Sequence, residues 1–185
     1  MKKVYVTLVF LIFLLACTEN KENTNLDVEI SDIVGEWELV EFLLDGNYTD
    51  ETLDLPINTE ISAVGSDYDF TITFTNNPKD VTAIGSFNST VTYSSLGSTT
   101  SELIVIDTND KQETGTWNLI GEVLEVIPSS QTDINLEGDF KIIELNDEIM
   151  QLQMDIDQIF EGTDQDEAFK ISAKGTTYLK LKKKI

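Results

Sequence analysis

The sequence predicts an all-β domain, an antiparallel up-and-down meander of about eight to ten strands that closes into a barrel. Three observations carry this prediction. Apolar residues recur at every second position through most of the chain, short turn-forming links separate these runs, and no long amphipathic helix competes with them. In the clearest run, Asp67 to Thr75, one face holds Tyr68, Phe70, Ile72 and Phe74, and the other holds Asp69, Thr71, Thr73 and Thr75. One face is therefore buried and the other wet.

The chain opens on Lys2 and Lys3, followed by an almost unbroken apolar run from Val4 to Leu15 that is too short to span a bilayer as a helix. It ends in Leu14-Leu15-Ala16-Cys17. Charged head, apolar run and this box together resemble the signal of bacterial lipoproteins. The resemblance implies a signal peptide over residues 1–16, cleavage before Cys17, and a Cys17 thioether to diacylglycerol, with an acyl chain such as palmitate on its amine. Cys17 is the single cysteine, so no disulfide forms within the chain. Residues 17–30 read as the lipidated cysteine and a flexible tether, because Thr18 to Asn25 offers nothing to bury. Thr18 directly after the cysteine is similar to the pattern of lipoproteins released to the outer membrane. The expected location is the bacterial cell envelope, lipid-anchored, at the outer membrane.

The domain is expected over residues 31–185. Ser31 or Asp32 caps one short turn before Gly35. Alternating runs then follow at Val81 to Tyr93, Glu102 to Asp107, Glu113 to Leu119, Glu122 to Ile127, Phe140 to Leu145, Glu148 to Ile156, Glu167 to Ala173 and Thr177 to Lys182. Links such as Asn76 to Asp80, Ile120-Gly121, Asn146-Asp147 and Lys174-Gly175 join antiparallel neighbours. A weak helical pattern lies around Asp155 to Ala168. Periodicity alone allows a barrel or a two-sheet sandwich, and closure has the advantage of removing edges.

The stretch GEWEL, Gly35 to Leu39, stands after a short turn and before the meander. A Gly-x-Trp opening the first strand resembles the lipocalin signature, and the order of runs is similar to lipocalin-like domains of bacterial lipoproteins. The resemblance implies that Trp37, with Gly35, plugs one closed end of a barrel. Lipocalins pair that tryptophan with an arginine, which this chain lacks, so Lys180 or Lys182 is expected across its face as a cation–π partner. A flanking C-terminal helix is also not evident. The same frame returns in GTWNL, Gly115 to Leu119, where the flanking residues do not match and Trp117 reads as a core residue of a central hairpin.

Composition excludes several function classes. The formal net charge is −22, with 34 acids against 12 basic residues, all lysine, so nucleic acid is not an expected partner. Lys182 to Lys184 read as a solvated strand end. With no histidine and one cysteine, Ser-His and Cys-His nucleophiles and Cys/His zinc sites are missing. Carboxylates alone are too numerous to single out a catalytic pair. The chain is expected to be no enzyme and to use no cofactor and no metal. Within Asp155 to Glu167, Asp155 and Asp157 match the first two ligand positions of a calcium loop and Asp166 the last, but Ile159 and Phe160 stand at the third ligand position and the turn glycine and break the pattern.

What remains is an apolar interior. Tyr68, Phe70, Ile72, Phe74, Met150, Leu152 and Met154 are the candidate ligand-binding residues, methionine adapting to the shape of its guest. The expected function is a membrane-anchored, lipocalin-like envelope protein binding a small apolar ligand, such as a lipid, in its barrel. The alternative is an interaction module whose barrel is filled by its own side chains, with a protein partner the sequence does not name.

Overall fold

The computed structural model describes residues 26–52, 55–110, 112–129, 138–164 and 167–184, with backbone alone over 160–164 and 167–169. The expected signal peptide, Cys17 and the expected tether as far as Asn25 lie outside the described residues. Nine strands follow one helical turn, α1 (Ile30–Ile33): β1 (Gly35–Asp50), β2 (Ile57–Phe74), β3 (Asp80–Ser95), β4 (Ser98–Asp107), β5 (Glu113–Ile120), β6 (Val123–Pro128), β7 (Gly138–Leu145), β8 (Ile149–Asp164) and β9 (Glu167–Lys183). Every pairing is antiparallel.

The ring runs β1-β2-β3-β5-β6-β7-β8-β9 and returns to β1, which settles the choice between barrel and sandwich. β4 stands outside this ring. β3 pairs with β5 over Asp80 to Ala83 and with β4 over Ser86 to Ser95, so it changes partner halfway along its length. Gly85 marks the change. Its φ is +118°, and its carbonyl accepts both the backbone N–H and the hydroxyl of Thr108, at 2.8 and 3.1 Å. A Cβ at Gly85 would run into the backbone carbonyl of Asp69, where β2 carries an irregularity between Ser66 and Asp69. Only glycine fits both demands.

Two sequence expectations need correction. Lys174-Gly175 is no turn, because β9 is continuous through it; Gly175 lies opposite Gly46, where the two backbones approach so closely that a Cβ on Gly175 would sit 2.7 Å from the Asp45 carbonyl oxygen. The glycine marks a close approach, not a reversal. Likewise, the described residues of the helical pattern around Asp155 to Ala168 are strand, with β8 paired to β9 as far as Asp164. Alternation within a strand and short-range helical spacing overlap there, and pairing decided it.

The turns at Asn76 to Lys79, Gly121-Glu122 and Asn146 to Glu148 gather at one end with α1. This end is filled. Trp37, Ile33, Leu124, Ile142, Met150 and Leu181 are fully buried in it. The cap of α1 is Glu29, whose N–H donates to the Asp32 carboxylate at 2.9 Å, so Asp32 works from inside the turn and Ser31 is not the cap. Leu26 and Val28, which the sequence reading assigns to the tether, pack against the core, and the Leu26 N–H donates to Glu122 at 2.7 Å. The chain thus enters the barrel at its closed end.

Candidate functional site

The plug is built first. Trp37 has no exposed surface, its indole N–H donates to the Ile33 carbonyl at 2.9 Å, and the Lys183 ammonium lies 5.1 Å from its ring centroid. Lys183 takes this place instead of Lys180 or Lys182. Leu179 and Leu181 are buried, so alternation turns residue 183 inward and 180 and 182 outward. Trp117 repeats the arrangement: its N–H donates to the Thr75 carbonyl at 2.8 Å, Lys79 stands 5.3 Å from its ring, and Phe74 meets it edge-on at 5.7 Å. Each indole buries its ring and satisfies its one donor.

Above this floor the side chains no longer fill the ring. A cavity of about 270 Å³ is lined by Leu39, Phe42, Leu44, Phe70, Ile72, Phe87, Phe140, Met154, Ile156, Thr177 and Leu179. Thr177 brings the one hydroxyl. Phe87 is the hub of the aromatic wall, with Phe42, Phe70 and Tyr68 rings at 5.4, 5.5 and 5.9 Å. Tilted, stacked and edge-on contacts of this kind are the favoured arrangements of aromatic pairs.

The predicted stripes divide between cavity and floor. Phe70, Ile72 and Met154 line the cavity, whereas Phe74, Met150 and Leu152 belong to the packed core. Tyr68 stands at the margin, its hydroxyl oxygen accepting the Phe42 N–H at 2.9 Å where the β1–β2 register shifts. Burial raises the Tyr68 phenol above its ordinary value; the Phe42 hydrogen bond opposes this and the Glu41 charge adds to it. Phe42, Leu44, Phe87 and Phe140 escaped the sequence reading. The signal for Phe87 was its place in an alternating run, but only the ring's closure brings it opposite Phe42.

One side of the wall is unpaired above the cavity. β7 accompanies β8 only from Met150 to Gln153, and β4 pairs with β3 along one edge. Among the described residues no strand joins β4 to β8 beyond Gln153.

A second concavity, open and about 840 Å³, lies across β3, β2, β1, β9 and β8. Its lining is polar. Thr92, Ser62, Asp45, Thr176 and Asp155 form one row in register, and Ser94, Glu60, Asn47, Lys174 and Asp157 the next. Thr176 donates to Asp155 at 3.1 Å, and Lys174 pairs with Asp157 at 3.3 Å with both side chains more than half exposed. Such solvated pairs contribute little. The two acids that suggested a calcium loop therefore stand on a strand with partners of their own. Asp166, the last position of that pattern, lies outside the described residues.

A family model described as the lipocalin-like domain matches residues 33–152, from the end of α1 into the first residues of β8. No curated protein and no solved structure matches the chain. The matched stretch contains Gly35, Trp37 and the aromatic wall.

Proposed function

The chain belongs to the lipocalin-like domain family, and on that premise we propose that it is a lipid-anchored, non-enzymatic protein of the bacterial envelope that holds a small apolar molecule in its barrel. The observation that supports this reading best is the apolar cavity beside a gap in the wall. Its volume falls just under the roughly 300–1,000 Å³ of drug-sized pockets, so the guest is small, on the scale of one acyl chain or a compact lipid precursor. Binding of this kind draws on removal of apolar surface from water, about 25 cal/mol per Å². Thr177 offers a single point of polar recognition.

The test is native mass spectrometry of protein lacking residues 1–25, purified from its own host, together with titration of a medium-chain fatty acid. Copurified apolar ligand is expected. Leu44→Trp, which fills the space, should weaken the fatty acid at least tenfold while the fold is kept; an unchanged affinity would refute the cavity as the site.

Anchoring is proposed through Cys17 at the outer membrane. Leu26 lies nine positions after Cys17, a reach of roughly 30 Å when extended. Because Leu26 is held at the closed end, the anchor would keep that end toward the membrane and the gap away from it. Cys17→Ala should move the protein from the membrane fraction to the soluble one, and unaltered partitioning would sink the anchor.

A further inference from the structure

β4 carries the largest run of exposed apolar side chains in the described residues: Leu103 is 62%, Ile104 40% and Val105 61% exposed. It also has one bare edge. Ten residues pair in register with β3, from Ser98 opposite Ser95 to Asp107 opposite Ser86, and no described strand takes the other side. Proteins usually blunt such an edge with lysine, proline, a bulge or a short strand. β4 has none of these, and no basic residue occurs anywhere from Asp80 to Asp110.

The charges that do occur define what fits. Glu102 and Asp107 bracket the apolar run Leu103 to Ile106, and Asp67, hydrogen-bonded to Asn88 at 2.7 Å, lies near the neighbouring face of β3, where Asn88 is opposite Val105. A second copy of this chain brings the same acids to the same edge and a net charge of −22 to the encounter, which opposes self-pairing. A strand with apolar residues between two cations meets the edge with backbone hydrogen bonds and opposite charge together.

We propose that β4 is a docking edge for a partner protein, which adds an extended strand of apolar residues flanked by lysine or arginine. No residue of β4 lines the barrel cavity.

The probe is a fluorescein-labelled six-residue peptide of alternating valine and threonine with a lysine at each end, spaced as Glu102 and Asp107 are, titrated against the full chain in detergent. A glutamate-ended peptide of the same core is the control. The lysine peptide is expected to bind at least tenfold tighter, to weaken as salt is raised, and to slow amide exchange along β4. Val105→Lys should lower its affinity at least tenfold with an unchanged circular dichroism spectrum, and Glu102→Lys should narrow the preference between the two peptides. Four results would overturn the proposal: equal binding of both peptides, binding of neither, β4 amides already protected along both edges in the protein alone, or concentration-dependent self-association lost in Val105→Lys.

Discussion

Replacing Trp37 with alanine is expected to lower the unfolding free energy by about 3–5 kcal/mol, the range for deleting a large aromatic side chain from a core. The ring has no exposed surface and shares the floor with Ile33, Leu124, Ile142, Met150 and Leu181. Three losses combine: the transferred area, the void left under a packed ring, and the hydrogen bond to Ile33 that holds α1 against the closed end. Trp37→Phe keeps much of the area and should cost less, chiefly the Ile33 bond, on the order of 1–2 kcal/mol. Urea titration followed by Trp117 emission measures both. A loss below about 1 kcal/mol for the alanine variant would mean that the plug is dispensable, contrary to its burial.

Gly85→Ala is expected to cost at least about 2 kcal/mol, because a positive φ and a collision with backbone fall on one residue. The added methyl meets the carbonyl of Asp69, which cannot move away as a flexible side chain would. Displacing it disturbs the two bonds from Thr108 to the Gly85 carbonyl, and with them the point where β3 passes from β4 to β5. Gly97→Ala is the comparison. It too has a positive φ, +78°, but nothing lies within 4 Å of the added atom, so conformational strain alone, about 1 kcal/mol, remains. Equal losses in the two variants, measured by chemical denaturation, would show that the collision is relieved elsewhere. Amide exchange in Gly85→Ala should quicken first along β4.

The sequence made the fold legible and the cavity only in part, for a physical reason that particular residues expose. Alternation reports which face of a strand is buried, so Phe70, Ile72 and Met154 were found, and Phe74, Met150 and Leu152 came with them. It does not report height along the barrel. Whether a buried side chain fills the floor or borders a space depends on the ring's closure, and the pairing of Phe42 with Leu179 and of Ile72 with Trp37 is long-range information. Glycine was ambiguous in the same way: Gly175 and Gly121 look alike in sequence, yet one marks two backbones in close approach and the other a turn with φ +61°. The lysine over Trp37 was missed by one residue, since the phase of β9 was set by its partners and not by its own pattern. The branching of β4 had no signal at all in the periodicity.

The seam between β1 and β9 also dictates an order of events during synthesis. Residues 37–50 find one of their two neighbours in residues 171–183, so β1 leaves the ribosome long before that partner exists. At roughly 5–20 residues per second, the wait is on the order of ten seconds. During it β2 can pair with β1 and β3 with β2, while the ring stays open and its first strand keeps a bare side. Such a chain remains unclosed until its last strand has been made, so closure of the ring is the final step of its folding.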